Sequence, residues 1–120
     1  MPVEPQIVEV DHSGKPRRYI FVLMNDFTML CFAAAIESLR IANRTAGKEL
    51  YKWKIISEGG PDAVCSNGCA FHVDDDLCEL ERDDTIMLCG GIDIQKATTK
   101  RTLNWLRREA RRGAAIAGLC

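Results

Sequence analysis

Apolar runs without polar interruption mark the strands of this chain. Tyr19-Ile20-Phe21-Val22-Leu23-Met24, Thr85-Ile86-Met87-Leu88-Cys89 and Ala114 to Leu119 are short, continuous and β-prone. Such runs suit strands buried on both faces of a sheet. Tyr51 to Ser57 alternates apolar and polar residues instead, which predicts a strand nearer an edge. Between the strands the pattern changes. Met29 to about Ala46 is rich in helix formers, with Thr28 as a candidate N-cap and Gly47 as a C-terminal stop. Thr98 to Arg112 predicts a second helix, with Leu103, Leu106 and Ala110 on one face and Gly113 as its stop.

The remaining segments read as connections. Met1 to Arg17 is polar, carries Pro2, Pro5 and Pro16, and predicts a flexible arm, although Ile7 to Val10 could add an edge strand. Glu58-Gly59-Gly60-Pro61 is a turn. Asn67-Gly68 lies between short β-prone pieces from Ala63 to Val73, a hairpin signal. Asp74 to Arg82 is acidic and predicts a short helix.

The resulting order, β-α-β-hairpin-β-α-β, predicts an α/β fold with a parallel sheet flanked by helices. Ligands in open parallel sheets sit at the carboxyl ends of the strands. Three segments converge there: the loop after Met24, the Gly90-Gly91 turn and Cys120.

Composition narrows the possibilities. The 120 residues suffice for one domain or part of one. A formal net charge of -1 provides no overall attraction to nucleic acid or membrane, so these residues are not expected to be a DNA-contacting module. The longest apolar stretch, Met29 to Ile36, is far short of the ~20 residues that cross a bilayer. Glu4, Glu9 and Asp11 at the start do not make a signal peptide, so a cytoplasmic location is expected. The six cysteines are then expected as free thiols.

Few side chains are candidates for chemistry. Cys120 ends the last strand, where it is either a nucleophile or oxidisable thiol at a tight turn, or a small hydrophobe in a common place for free cysteine. A strand delivering a cysteine to its end is expected to run on into a helix, so the chain is expected to be part of a longer protein. Glu37 lies in the apolar stretch Phe32-Ala33-Ala34-Ala35-Ile36-Glu37. It could face the carboxyl edge and share a hydrogen bond with the Cys120 thiol, or form an (i, i+3) surface pair with Arg40. Gly90-Gly91 could let backbone approach a ligand and turn its N–H groups inward, or simply make a tight turn.

Cys65, Cys69, Cys78 and Cys89 have poor zinc spacing and read as scattered thiols. His12 and His72 have no positional claim to act as bases. Arg107, Arg108, Arg111 and Arg112 complement a helix C-terminus and solvate one face. No cofactor or metal is called for.

Taken as a set, Ala35-Ile36-Glu37-Ser38-Leu39-Arg40-Ile41-Ala42-Asn43, Glu49-Leu50-Tyr51-Lys52-Trp53, Cys89-Gly90-Gly91-Ile92 and the terminal Ala117-Gly118-Leu119-Cys120 resemble one family. They are similar to the N-terminal sensor domain of AraC/XylS-type transcriptional regulators of the GlxA group, itself similar to the ThiJ/PfpI, or class I glutamine amidotransferase-like, superfamily. The resemblance runs from about Arg18 to Cys120.

It implies a flavodoxin-like three-layer parallel sheet with flanking helices, incomplete at the C-terminus, with residues 1-17 an arm and 18-120 the N-terminal portion of the sensor domain. It implies that a small-molecule effector binds near Glu37, Gly90, Gly91 and Cys120, and that catalytic residues are absent. DNA would be contacted only through a C-terminal domain outside this chain, and the regulator would work as a homodimer away from membranes. Gly47 to Trp53 and Cys89 to Gln95 resemble regulators of arginine, glycine betaine or carnitine catabolism. The alternative is a ThiJ/PfpI-like cysteine hydrolase or glyoxalase with Cys120 as nucleophile and Glu37 assisting; a third reading has Cys120 oxidised to a sulfinate as a redox sensor.

Overall fold

The computed structural model describes residues 14–119. The apolar runs form the middle of a four-stranded parallel sheet. β1 (Arg17–Leu23) and β5 (Thr85–Cys89) are its inner strands; β2 (Tyr51–Ile56) and β6 (Ala115–Leu119) flank them in the order β2-β1-β5-β6. β1 takes in Arg17, at the end of the expected arm. The register pairs Phe21 with Ile55 and with Met87, and Met87 with Ala117. The expected edge strand at Ile7 to Val10 lies outside the described residues.

α1 (Met29–Ala46) covers one face, and α3 (Lys100–Arg111) covers the other. β1 sorts its side chains by parity, as a strand must. Ile20, Val22 and Met24 join Ile56, Leu80, Ile86, Trp105 and Leu106 under α3. Phe21 and Leu23 join Phe27, Phe32, Ala63, Cys65, Val73 and Cys89 under α1 and a short antiparallel hairpin, β3 (Asp62–Val64) and β4 (Ala70–His72). Four edge-on ring contacts bring Phe21, Phe27, Phe32 and Phe71 into one aromatic cluster.

Local signals explain the helix ends. Gly47 closes α1 in the left-handed region at φ +68°, and its N–H donates to the Arg44 carbonyl. Thr28 occupies the N-cap position without a side-chain cap bond. Asn43 fastens α1 to β2: its Oδ1 accepts from the N–H groups of Leu50 (2.8 Å) and Tyr51 (2.9 Å), and its Nδ2 donates to the Tyr51 carbonyl.

Four expectations are corrected. Residues 74–82 form no helix, because the carboxylates bind backbone instead. Asp74 accepts from the Ile55 N–H, Asp76 from those of Gly59 and Leu77, and Asp84 from that of Glu81. A four-residue helix, α2 (Ile94–Ala97), precedes α3 and was not expected. α3 begins at Lys100, after an N-cap Thr99 whose side chain accepts from the Thr102 N–H. Its inward face is Thr102, Trp105, Leu106 and Glu109, whereas Leu103 is 38% exposed and Ala110 also faces out. Finally, β6 pairs on one side only, with β5, and Ile116 is 47% exposed, so that strand is not buried on both faces among the described residues.

Candidate functional site

The chain leaves β1 for β2 on one side and later fills β5 and β6 on the other. The crossovers therefore diverge between β1 and β5, and their carboxyl ends border the natural ligand crevice of such a sheet. Backbone groups build this edge. The Met24 N–H donates to the Cys89 carbonyl at 3.0 Å, and the Thr28 N–H to the Gly90 carbonyl at 3.0 Å. The loop into α1 is thus tied directly to the end of β5.

Gly91 is there because nothing larger fits, whereas Gly90 is crowded only by the end of a side chain. A Cβ on Gly91 would lie 2.4 Å from the Asp26 carbonyl oxygen, a backbone atom that cannot step aside. A Cβ on Gly90 would lie 2.6 Å from Ile94 Cδ1. Their N–H groups are not equivalent. Gly90 donates to the Leu119 carbonyl at 3.0 Å and so continues the sheet. Among the described residues the Gly91 N–H has no hydrogen-bond partner, which leaves it able to serve a ligand oxygen.

Two hollows open at this edge. One, about 300 Å³, is lined by Leu88, Gly90, Gly91, Ile94, Gly118 and Leu119. The other, about 330 Å³, lies at the ends of β1 and β2 and includes Met24, Asn25, Ser57, Glu58, Asp62 and Lys96. Glu58 is oriented in it by two hydroxyls, Thr99 at 2.7 Å and Thr102 at 3.1 Å. The sequence reading missed this second group. Its only signal was position: Asn25 lies in the loop after Met24 that was expected at this edge, Ser57 ends a predicted strand and Glu58 follows it.

The structure brings Gly90 and Gly91 together with the β1–α1 loop but does not bring Glu37 to them. Glu37 lies nine residues beyond Thr28, about 13 Å along the helix axis. Its carboxylate is half exposed and ion-paired with Arg40, whose Nε donates at 2.9 Å and whose Nη2 also donates. That hydrogen bond holds the Glu37 carboxyl below its ordinary range. Here the surface pair, one of the two sequence readings, is what the geometry displays. Cys120 and His12 lie outside the described residues.

The other thiols are unlike one another. Cys89 is buried at the end of β5, and desolvation pushes its thiol up to about 12, so it stays protonated and unreactive at neutral pH. Cys65 is buried and Cys69 exposed; both are reduced. Among the described residues no three His, Cys, Asp or Glu side chains converge as a metal site, and no helix is long and apolar enough to cross a membrane. The basic end of α3 is partly neutralised: Arg112 meets Glu79 at 2.6 Å and buried Glu109 at 3.2 Å.

No family model matches the chain. Curated relatives are transcriptional regulators. It is 32% identical over 108 residues to the HTH-type transcriptional regulator GbdR of Pseudomonas aeruginosa, an alignment covering 90% of this chain and 29% of that protein. It is 34% identical over 108 residues to the HTH-type transcriptional regulator GlxA of Rhizobium meliloti, covering 89% and 33%. The chain thus spans about a third of the length of these relatives. Among solved structures, an AraC family transcriptional regulator from Pseudomonas putida superposes with a TM-score of 0.75 at 24% identity, over 86% of this chain and 55% of that one. A ThiJ/PfpI domain protein from Brachyspira murdochii superposes with a TM-score of 0.59 at 22% identity, over 88% and 59%. The fold is therefore the flavodoxin-like α/β arrangement of ThiJ/PfpI domains, and the chain is a homologue of HTH-type transcriptional regulators.

Proposed function

We propose that this homologue of HTH-type regulators is part of the ligand-sensing domain of an AraC-type bacterial transcriptional regulator, with residues 18-120 contributing to the sensor. The observation that supports this best is the pair of hollows at the carboxyl edge: one is bordered by Gly91, whose N–H has no partner among the described residues, and the other gathers Asn25, Glu58, Asp62 and Lys96. A backbone donor beside a few polar side chains in a shallow hollow suits reversible binding of a small metabolite. In this reading the effector lies against Gly90 and Gly91, and Cys120 also contributes to holding it. Glu37 contributes through the α1 surface it shares with Arg40, since Arg40 already holds its carboxylate.

Effector binding shifts the population of a homodimer or of an interdomain arrangement, and a DNA-binding domain outside these residues reads the shift in the cytoplasm. The resemblance of residues 47–53 and 89–95 to regulators of arginine, glycine betaine and carnitine catabolism selects those three compounds as first probes. The enzyme alternative needs Glu37 to assist Cys120, which the Arg40 ion pair opposes.

Calorimetric titration of the 120-residue chain with arginine, glycine betaine and carnitine tests the reading. Saturable binding of one of them without turnover, and no retention of duplex DNA, is expected. Conversion of a small substrate, or tight DNA binding by this chain alone, overturns it.

A further inference from the structure

We propose that Cys65 and Cys69 are a reversible thiol–disulfide pair at the hairpin tip, a peroxide-responsive modification site that acts on the β1–α1 loop. The hairpin register pairs Asp62 with His72, Ala63 with Phe71 and Val64 with Ala70, so its next step sets Cys65 opposite Cys69. The Cys65 N–H donates to the Cys69 carbonyl at 2.9 Å, and the Gly68 N–H to the Cys65 carbonyl at 2.9 Å, with Gly68 at φ +89° closing the loop. One backbone bond joins the two residues, and residues that face one another across an antiparallel pair have Cα atoms about 4.5–5.5 Å apart and side chains on one face. That separation is within the range a disulfide requires. Asn67 Oδ1 gathers both residues: it accepts from Cys65 Sγ at 2.7 Å and from the Cys69 N–H at 3.0 Å.

The two thiols have different access. Exposed Cys69 meets an oxidant first; Cys65, 1% exposed, is held behind it. The oxidant is a hydroperoxide. The Cys69 thiolate attacks one peroxide oxygen, the O–O bond breaks, and the other oxygen leaves as water or an alcohol after taking up a proton. Cys69 is then a sulfenic acid. Cys65 sulfur attacks the Cys69 sulfur, the S–S bond forms, the S–O bond breaks, and the hydroxide leaves as water with the Cys65 proton. The two thiols together lose two electrons, both accepted by the peroxide. A dithiol reductant reverses the bond by exchange. A loop this short adds little entropic stabilisation to the bond, which favours reversibility.

The hairpin tip is tied to the crevice. The Ser66 N–H donates to the Phe27 carbonyl at 2.9 Å, and the Asp26 N–H to the Val64 carbonyl at 3.0 Å. Asn67 Nδ2 contacts Met29 Sδ at 3.8 Å. Asp26 is the residue whose carbonyl oxygen leaves no room for a side chain on Gly91. Bond formation takes Cys65 Sγ from Asn67 and moves this loop. The chemistry goes beyond effector sensing and does not rest on it.

The test treats the reduced 120-residue chain with hydrogen peroxide. Expected are a mass lower by two hydrogens, two fewer free thiols of the six, and full recovery with dithiothreitol. The peptide running from Ile55 to Arg82 also contains Cys78, so its fragmentation must place the link between Cys65 and Cys69. Cys69→Ser, at an exposed position, abolishes the link, and Cys78→Ser retains it. Hydrogen exchange of the Asp26 and Ser66 amides changes on oxidation of the wild type and not of Cys69→Ser. A link between any other pair, or Cys69 carried to sulfinic acid without a link, overturns the pair. Unchanged Asp26 and Ser66 exchange overturns its action on the loop.

Discussion

At the amino end of the sheet a buried carboxylate is answered by a cation; at the carboxyl end the junction of β1 and β5 is built from backbone and glycine, with Glu58, Asp62 and Lys96 gathered beside it. The amino end holds Arg18 between Glu81 and Asp84, with Asp84 only 2% exposed and its Oδ1 3.2 Å from Arg18 Nε. A hollow of about 520 Å³ lies there, larger than either at the carboxyl edge. Yet Arg18, Glu81 and Asp84, three of its lining side chains, already answer one another, and they join β1 to the turn before β5. The carboxyl edge has smaller hollows and, among the described residues, a backbone N–H without a partner. Mutually paired charges mark the end that fastens the fold; glycines without side chains mark the end with room for a ligand.

The largest expected effect comes from filling the carboxyl edge. Gly91→Ala forces a carbon against the Asp26 carbonyl oxygen and should cost about 2–4 kcal/mol in chemical denaturation. Gly118→Ala, whose new Cβ meets nothing within 4 Å, should stay within about 0.5 kcal/mol. Equal effects would remove the steric distinction between these glycines.

Breaking the amino end should have a smaller effect. Arg18→Ala leaves the buried Asp84 carboxylate without its cation, and a loss of about 1–3 kcal/mol is expected, discounted because Arg18 is itself 30% exposed. Effector affinity measured on the folded fraction should not change. A variant that keeps its stability but loses ligand would place function at the wrong end.

The smallest effect is a pair of opposed pH slopes. Hydrogen bonds from Arg101 and the Gly59 N–H lower the Asp76 pKa, so its contribution is present above the ordinary value of 3.8 and is lost as pH falls through the depressed one. Asp76→Asn should therefore be less stable than wild type at neutral pH, with the gap closing in acid. Burial raises the Asp84 pKa, despite Arg18 and the Glu81 N–H. Its contribution is full below 3.8 and is lost as pH rises through the raised value, so any advantage of wild type over Asp84→Asn should shrink upward from acid. Denaturation midpoints across that interval read both slopes, and parallel slopes would contradict the contrast.

Much of the fold was legible because burial on both faces writes itself as an uninterrupted apolar run. Thr85 to Cys89 was recovered residue for residue, and Met29 to Ala46 was framed by Thr28 and Gly47. Polar residues that are buried left no such trace. Thr102 and Glu109 face inward on α3 because Glu58, Arg112 and the Leu80 N–H satisfy them, and apolar periodicity pointed to Leu103 and Ala110 instead. Four residues are too few for α2 to show a period. At the site, Gly90-Gly91 was legible as glycine after a strand, and Glu37 was legible as a partner for Arg40. The loop holding Asn25 was placed at this edge, but Ser57, Glu58 and Lys96 were not, since only the tertiary fold brings them to it.

The most direct test is a two-dimensional ¹⁵N–¹H spectrum of the chain titrated with arginine, glycine betaine and carnitine. The account predicts that one of them moves the resonances of Asn25, Gly91, Lys96 and Leu119 together and leaves Arg17, Arg18, Glu81 and Asp84 in place. Shifts confined to that second group, or no shifts with any of the three, would contradict it.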